Sequence, residues 1–140
     1  MSIRTWSLAA WLFSLAVPLE AQFPSLPAAA EAARSALSSQ NVEALVASSP
    51  RILLQLPGAD PSAPVGQAQA SALLRAYFRR SEEVALEVRA AREVGDGRGY
   101  VELRRRFRVS GTQEMRDQTV FLGYTKQSSG WVLVEVRISG

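Results

Sequence analysis

The chain contains no cysteine and no histidine, a single lysine (Lys126) and a single asparagine (Asn41). Without cysteine no disulfide can brace the fold, so the hydrophobic core alone must hold it, and a lipid anchor on an N-terminal cysteine is excluded. Without histidine the commonest general base, the usual metal ligand and the side chain that titrates near neutrality are all missing. Zinc, haem and Cys or Ser-His nucleophile chemistry therefore lose their standard parts, and neither a metal nor a cofactor is expected. Long hydrophobic runs are scarce as well. The apolar run at 6–17 is short of the roughly 20 residues that a membrane-spanning helix needs, so no membrane span is expected.

That run has a different meaning in its context. Arg4 is the only charge before it, and it is followed by Pro18 and a small-residue exit at Ala21. Basic start, short apolar stretch and small exit are the order of a secretory signal, although Leu19 occupies a position where Ala or Val is usual. Cleavage after Ala21 is expected, leaving residues 22–140 as one domain exported to the periplasm or the extracellular space. The removed segment holds Arg4 and Glu20, so the mature chain keeps the formal charge of +3. So mild an excess favours solubility and indicates no nucleic-acid partner. The preference for Arg over Lys reads as a trace of genomic base composition.

The remainder is patterned. Ser25 can cap a helix whose apolar positions Leu26, Ala30, Ala33 and Leu37 form one stripe, and Asn41 can cap a short helix through Val42, Leu45 and Val46, stopped by Pro50. A short buried strand is expected at 52–56, then a Pro- and Gly-rich loop at 57–66. Ala70, Leu73, Leu74, Tyr77 and Phe78 repeat at helical spacing, with Arg75, Arg79 and Arg80 on the other side. From Glu83 the period changes to two: Val84, Leu86, Val88 and Ala90 alternate with Ala85, Glu87, Arg89 and Ala91. Asp96-Gly97 signals a two-residue hairpin turn that would pair Leu86 with Phe107, Val88 with Arg105, Glu87 with Arg106 and Ala90 with Leu103. Further strands are expected at about 116–126 and 131–138. The expected core combines Leu73, Leu74, Tyr77 and Phe78 with Leu86, Leu103 and Phe107.

Helices followed by an antiparallel meander define an α+β domain, with N-terminal helices covering one face of a curved, mainly antiparallel sheet. The order helix, helix, strand, long helix, four strands resembles the nuclear transport factor 2-like superfamily, a cone with a pocket between sheet and helices. Within it the chain is most similar to exported bacterial proteins grouped as domain of unknown function 4783. Leu74, Tyr77 and Phe78, together with Glu135-Val136-Arg137-Ile138, carry that resemblance, which spans nearly all of 22–140. It implies a fold and a pocket but no assigned activity. Enzymatic relatives place an Asp, Glu or His deep in the pocket, often near a Tyr. Here Glu135 alone could enter it, beside Tyr77, Tyr100 or Tyr124, and an Arg partner would lower its pKa, the wrong direction for a base.

Charged residues form two sets along 102–108. Arg104, Arg106 and Arg108 share one strand face, either as a solvated surface balanced by Glu87, Glu93 and Asp117 or as a stripe for an anionic polymer or lipid surface. Arg105 points the opposite way, between Leu103 and Phe107, where a guanidinium requires a partner. A two-residue turn at Gly111-Thr112 puts Val120 and Leu122 on the Arg105 face, and with them Trp131, Leu133, Glu135 and Arg137. Arg105, Glu135, Arg137, Tyr77 and Trp131 would then line the pocket, with Glu135 the expected partner of Arg105. A connection one residue longer turns Glu135 and Arg137 outward and makes Val132, Val134, Val136 and Ile138 the core face. Hydrophobicity on both faces of the last two strands suggests a homodimer or a contact with an envelope protein. The leading expectation is a non-catalytic exported binding or interaction domain, open to a small-molecule ligand. Its rivals are an isomerase- or hydrolase-type pocket enzyme using Glu135, and an anionic-polymer module using Arg104, Arg106 and Arg108.

Overall fold

The computed structural model describes residues 23–128 and 130–140; the expected secretory segment and its cleavage site lie outside the described residues. Among the described residues three helices, α1 (Leu26–Ser38), α2 (Val42–Leu45) and α3 (Gln67–Phe78), accompany six strands. These are β1 (Arg51–Gln55), β2 (Val65–Gly66), β3 (Ser81–Glu93), β4 (Arg98–Val109), β5 (Met115–Gln127) and β6 (Gly130–Ser139). They form one open sheet in the order β2-β1-β6-β5-β4-β3, antiparallel except where β1 runs parallel to β6. The α+β arrangement anticipated from the pattern is the one observed. Ser25 caps α1 by accepting from the Ala28 amide, and Asn41 caps α2 in the same way through Ala44.

The helices lie on one side of the sheet. Leu26, Ala30, Ala33 and Leu37 of α1 are buried, as are Leu74 and Phe78 of α3, against Val101, Leu103, Val120, Leu122 and Val136. Leu73 departs from expectation: it is 41 % exposed, on the flank of α3 that lines a cavity.

Three register shifts decide which side chains face the helices. The β3–β4 connection is Gly95-Asp96-Gly97, all three residues with positive φ, and Val94 pairs with Arg98. It is one residue longer than the predicted Asp96-Gly97 turn. Bulges in β3 between Glu83 and Ala85, and between Val88 and Ala90, shift the register twice more. Leu86 therefore lies across from Arg105, and Val88 across from Leu103, instead of the predicted Phe107 and Arg105. A bulge adds a residue to one strand only, and a one-residue slip sends every following side chain to the other face. The Val84 bulge thus turns Glu83 inward, directly opposite Phe107.

The β4–β5 register agrees with the Gly111-Thr112 reading: Arg105 opposes Gln118, and Val120 and Leu122 are buried on the helix side. On β6 a further bulge falls between the pairs Gly123–Glu135 and Tyr124–Leu133, leaving Val134 as the extra residue. Trp131 and Leu133 before it, and Val136 and Ile138 after it, all join the core. Each of the two parities considered for β6 is therefore correct for one half of the strand. Much of the apparent two-sided hydrophobicity is one buried face crossing a bulge.

Candidate functional site

Between the C-terminal half of α3, the start of the β1–β2 loop and the ends of β4 and β5 lies a cavity of about 510 Å³. Its walls are Leu56, Pro57, Leu73, Ala76, Phe107 and Val109, and Arg80, Arg116 and Asp117 stand among its lining residues. Polar groups gather on one side: Ser81, Arg105, Gln118 and Tyr77.

Arg105 organises that side. Only 1 % of it is exposed, and its guanidinium lies over the Phe107 ring at 4.1 Å and the Phe78 ring at 4.8 Å. Its Nε donates to both carboxylate oxygens of Glu83 at 2.9 Å, and Nη2 also bonds Glu83. Nη2 donates to Ser81 Oγ at 2.5 Å and Nη1 to Gln118 Oε1 at 2.7 Å. The Glu83 side chain is itself only 9 % exposed, so the pair is a desolvated, charge-assisted contact in which each partner balances the other. Gln118 reaches on from Oε1 to Tyr77: its Nε2 donates to the Tyr77 hydroxyl at 2.8 Å. Tyr77 packs edge-on against Phe78, ring centroids 5.3 Å apart, which fixes the direction of its hydroxyl.

Of the residues proposed from sequence for the pocket, Arg105 and Tyr77 come together here. Trp131 does not; it is buried in the core, close against Gly99. Glu135 and Arg137 do not either. Beyond the Val134 bulge they face the opposite side of the sheet, bonded to each other at 2.8 Å, with the Arg137 guanidinium over Phe121 at 4.7 Å. The expected Arg105–Glu135 pair is replaced by Arg105–Glu83, because the Val84 bulge supplies a nearer carboxylate on the inner face. Glu83, Ser81 and Gln118 were missed. Gln118 had a signal, since the Gly111-Thr112 register already sets it across from Arg105; Glu83 had none, for alternation alone puts it with Ala85 and Glu87.

On the outer face Arg104, Arg106 and Arg108 stand in a row with carboxylates within reach. Arg106 Nε bonds Asp117 at 3.0 Å, Arg104 is 3.8 Å from the same carboxylate, and Arg108 Nη1 is 3.3 Å from Glu82. The Arg106 hydrogen bond is the main reason the Asp117 carboxyl is held below its ordinary pKa, with smaller help from the charges of Arg106 and Arg104. The stripe is therefore compensated. Beside it lies a shallow hollow of about 440 Å³ that includes Arg89, Glu102, Arg104 and Asp117. Deeper in the core, burial pushes the Tyr124 hydroxyl well above its ordinary value. Among the described residues no cluster of three carboxylates could hold a metal ion, and no helix is long and apolar enough to cross a membrane.

No family model matches the chain, and no curated protein matches it. Solved structures do. A ketosteroid isomerase-like protein from Erwinia carotovora atroseptica superposes with a TM-score of 0.67 at 16 % identity, covering 81 % of this chain and 92 % of that one. A DUF4783 family protein from Bacteroides ovatus gives 0.61 at 14 %, covering 76 % and 90 %. A hypothetical protein of ketosteroid isomerase-like fold from Catenulispora acidiphila, in complex with trimethylamine, gives 0.64 at 12 %, covering 83 % and 87 %. At such identities the likeness is one of architecture: the helices laid on one side of an open sheet share the nuclear transport factor 2-like α+β cone fold of these proteins.

Proposed function

We propose that this chain is an exported binding domain that takes a small, largely apolar molecule into the cavity beneath α3. The observation that carries this reading is the cavity itself: about 510 Å³, apolar on most of its wall, with polar groups converging from one side. Ligand sites of this size and mixed lining are the usual way a rigid domain captures a small molecule. The polar groups favour binding over proton transfer. Glu83, the carboxylate nearest the cavity's Arg105, is tied to that residue through two donors, and Glu135, on which a pocket enzyme would depend, lies on the far face. The Catenulispora neighbour holds trimethylamine, a cation at neutral pH. Around the present cavity Arg80, Arg105 and Arg116 stand with the Asp117 carboxylate, Arg105 being paired to Glu83 and Arg116 to Glu114.

Chemical-shift mapping with a set of small aromatic fragments tests the site. Shifts are expected at Leu56, Leu73, Tyr77 and Phe107, and Leu73→Trp is expected to abolish them by filling the mouth. Shifts confined to the outer sheet face, untouched by that substitution, overturn the reading. Export is part of the same proposal and rests on Arg4, the apolar run and Ala21. N-terminal sequencing of protein recovered outside the cytoplasm is expected to begin at or near Gln22, and an intact form starting at Met1 contradicts it.

A further inference from the structure

We infer that the ligand of this cavity is an apolar body carrying one carboxylate, and that Arg80, with help from Arg116, receives that group at the rim. The inference rests on the proposed ligand site and adds the charge of the molecule it takes.

The charges that line the cavity can be matched one by one. Arg105 and Glu83 balance each other in a desolvated pair, so neither has a charge left to offer. The Asp117 carboxylate is held by Arg106 at 3.0 Å, with Arg104 at 3.8 Å. Arg116 meets Glu114 at 3.0 Å, but both side chains are more than half exposed. A pair so open to water contributes little, and Arg116 can exchange that carboxylate for another. Arg80 is what remains: among the described residues it has no carboxylate partner. Its backbone is anchored where α3 gives way to β3, the carbonyl accepting from the Ser110 amide at 3.0 Å, so the side chain leaves from a fixed point. Much of the remaining wall is apolar: Leu56, Pro57, Leu73, Ala76 and Val109. A molecule filling that space gains by burying apolar surface, and one with a single anionic end also supplies the charge the rim lacks. The guanidinium fork matches a planar carboxylate through two parallel hydrogen bonds and is weakly hydrated, so little water has to be given up. The carboxylate belongs at the rim and no deeper. Arg105 is already bonded to Glu83, Ser81 and Gln118, and the Glu83 carboxylate repels a second anion there.

The test compares 2-naphthoate with 2-naphthamide, two probes of nearly equal shape of which only the first is charged at neutral pH. Titrations of the full chain followed by NMR at low salt are expected to show the carboxylate bound about three- to tenfold more tightly, the range of one charge-assisted contact partly open to water. That preference is expected to shrink as salt is added. Arg80→Gln is expected to bring the two probes to equal affinity, and Arg116→Gln to narrow the gap by less. Arg79→Gln, at the exposed neighbouring position outside the lining, is expected to leave the gap as it is. Thermal melting confirms that the variants remain folded. Equal binding of the two probes to the unaltered protein, a carboxylate preference that survives Arg80→Gln, or one that Arg79→Gln removes as fully, overturns the inference and leaves the site standing. If neither probe binds, or if Leu73→Trp leaves both affinities unchanged, the ligand-site reading falls and this one with it.

Discussion

A buried arginine is the residue whose behaviour distinguishes this fold from a generic meander. Parity along β4 already made the burial of Arg105 legible, because Leu103 and Phe107 flank it on the same face. Its partner was not legible, since Glu83 reaches the inner face only through a bulge. Breaking one half of such a pair leaves the other charge buried and uncompensated, so Glu83→Ala is expected to cost about 3–5 kcal/mol in urea unfolding. A double-mutant cycle between Arg105 and Glu83 is expected to show strong coupling, and a cycle between Arg105 and Glu135 almost none; the reverse pattern overturns the assignment. Tyr124 offers a separate titration. Burial raises its folded-state pKa above the ordinary 10.0, so its contribution is fully present below that pH and is lost as pH rises beyond it. Unfolding midpoints measured across the alkaline range are expected to fall above about pH 10, and Tyr124→Phe is expected to flatten that decline. An unchanged profile in Tyr124→Phe assigns the alkaline loss to other groups.

At the scale of elements, the readable features were those set by local chemistry. Ser25 and Asn41 announced their caps, the stripe along α1 announced its buried face, and the β4–β5 register followed from turn and alternation. What alternation could not supply was the position of bulges, because a bulge is fixed by how a long strand must twist to keep its face on the helices. β3 carries two and β6 one, and each relocates a charged or apolar set that strict period two would misplace. On β3 the Val84 bulge creates the Arg105–Glu83 contact and with it the polar side of the cavity. On β6 the Val134 bulge removes Glu135 and Arg137 from that cavity while keeping Val136 and Ile138 in the core. Leu73 shows the same limit for a helix. Its spacing matches the buried stripe, but the side chain borders the cavity and stays exposed.

For the molecule as a whole, the sequence carried the architecture and withheld the chemistry, since Tyr77, Gln118, Arg105 and Glu83 are brought together by tertiary placement and by no motif. The same bulges alter the grounds for self-association. Once Val136 and Ile138 are counted with the core, the outer sheet face is less apolar than β5 and β6 suggest in isolation. It still carries the stacked Tyr100–Phe121 pair, ring centroids 5.3 Å apart and 17° from parallel, with Arg137 over Phe121. Charges of both signs share that face, Glu102 across from Phe121 and the Arg137–Glu135 pair beside it, with Arg104, Arg106 and Asp117 farther along the strands. A two-fold contact sets one patch against its own copy, so it needs both signs on the same patch, and this face meets that condition. We therefore propose that two copies pair through it, with the aromatic stack at the centre and the charges at the rim. Rim charges are screened by salt, so the association is expected to weaken as ionic strength rises. Sedimentation at high micromolar concentration and low salt is expected to show the dimer, and Phe121→Glu to return it to monomer without loss of fold. A strict monomer of the unaltered protein under those conditions overturns the pairing.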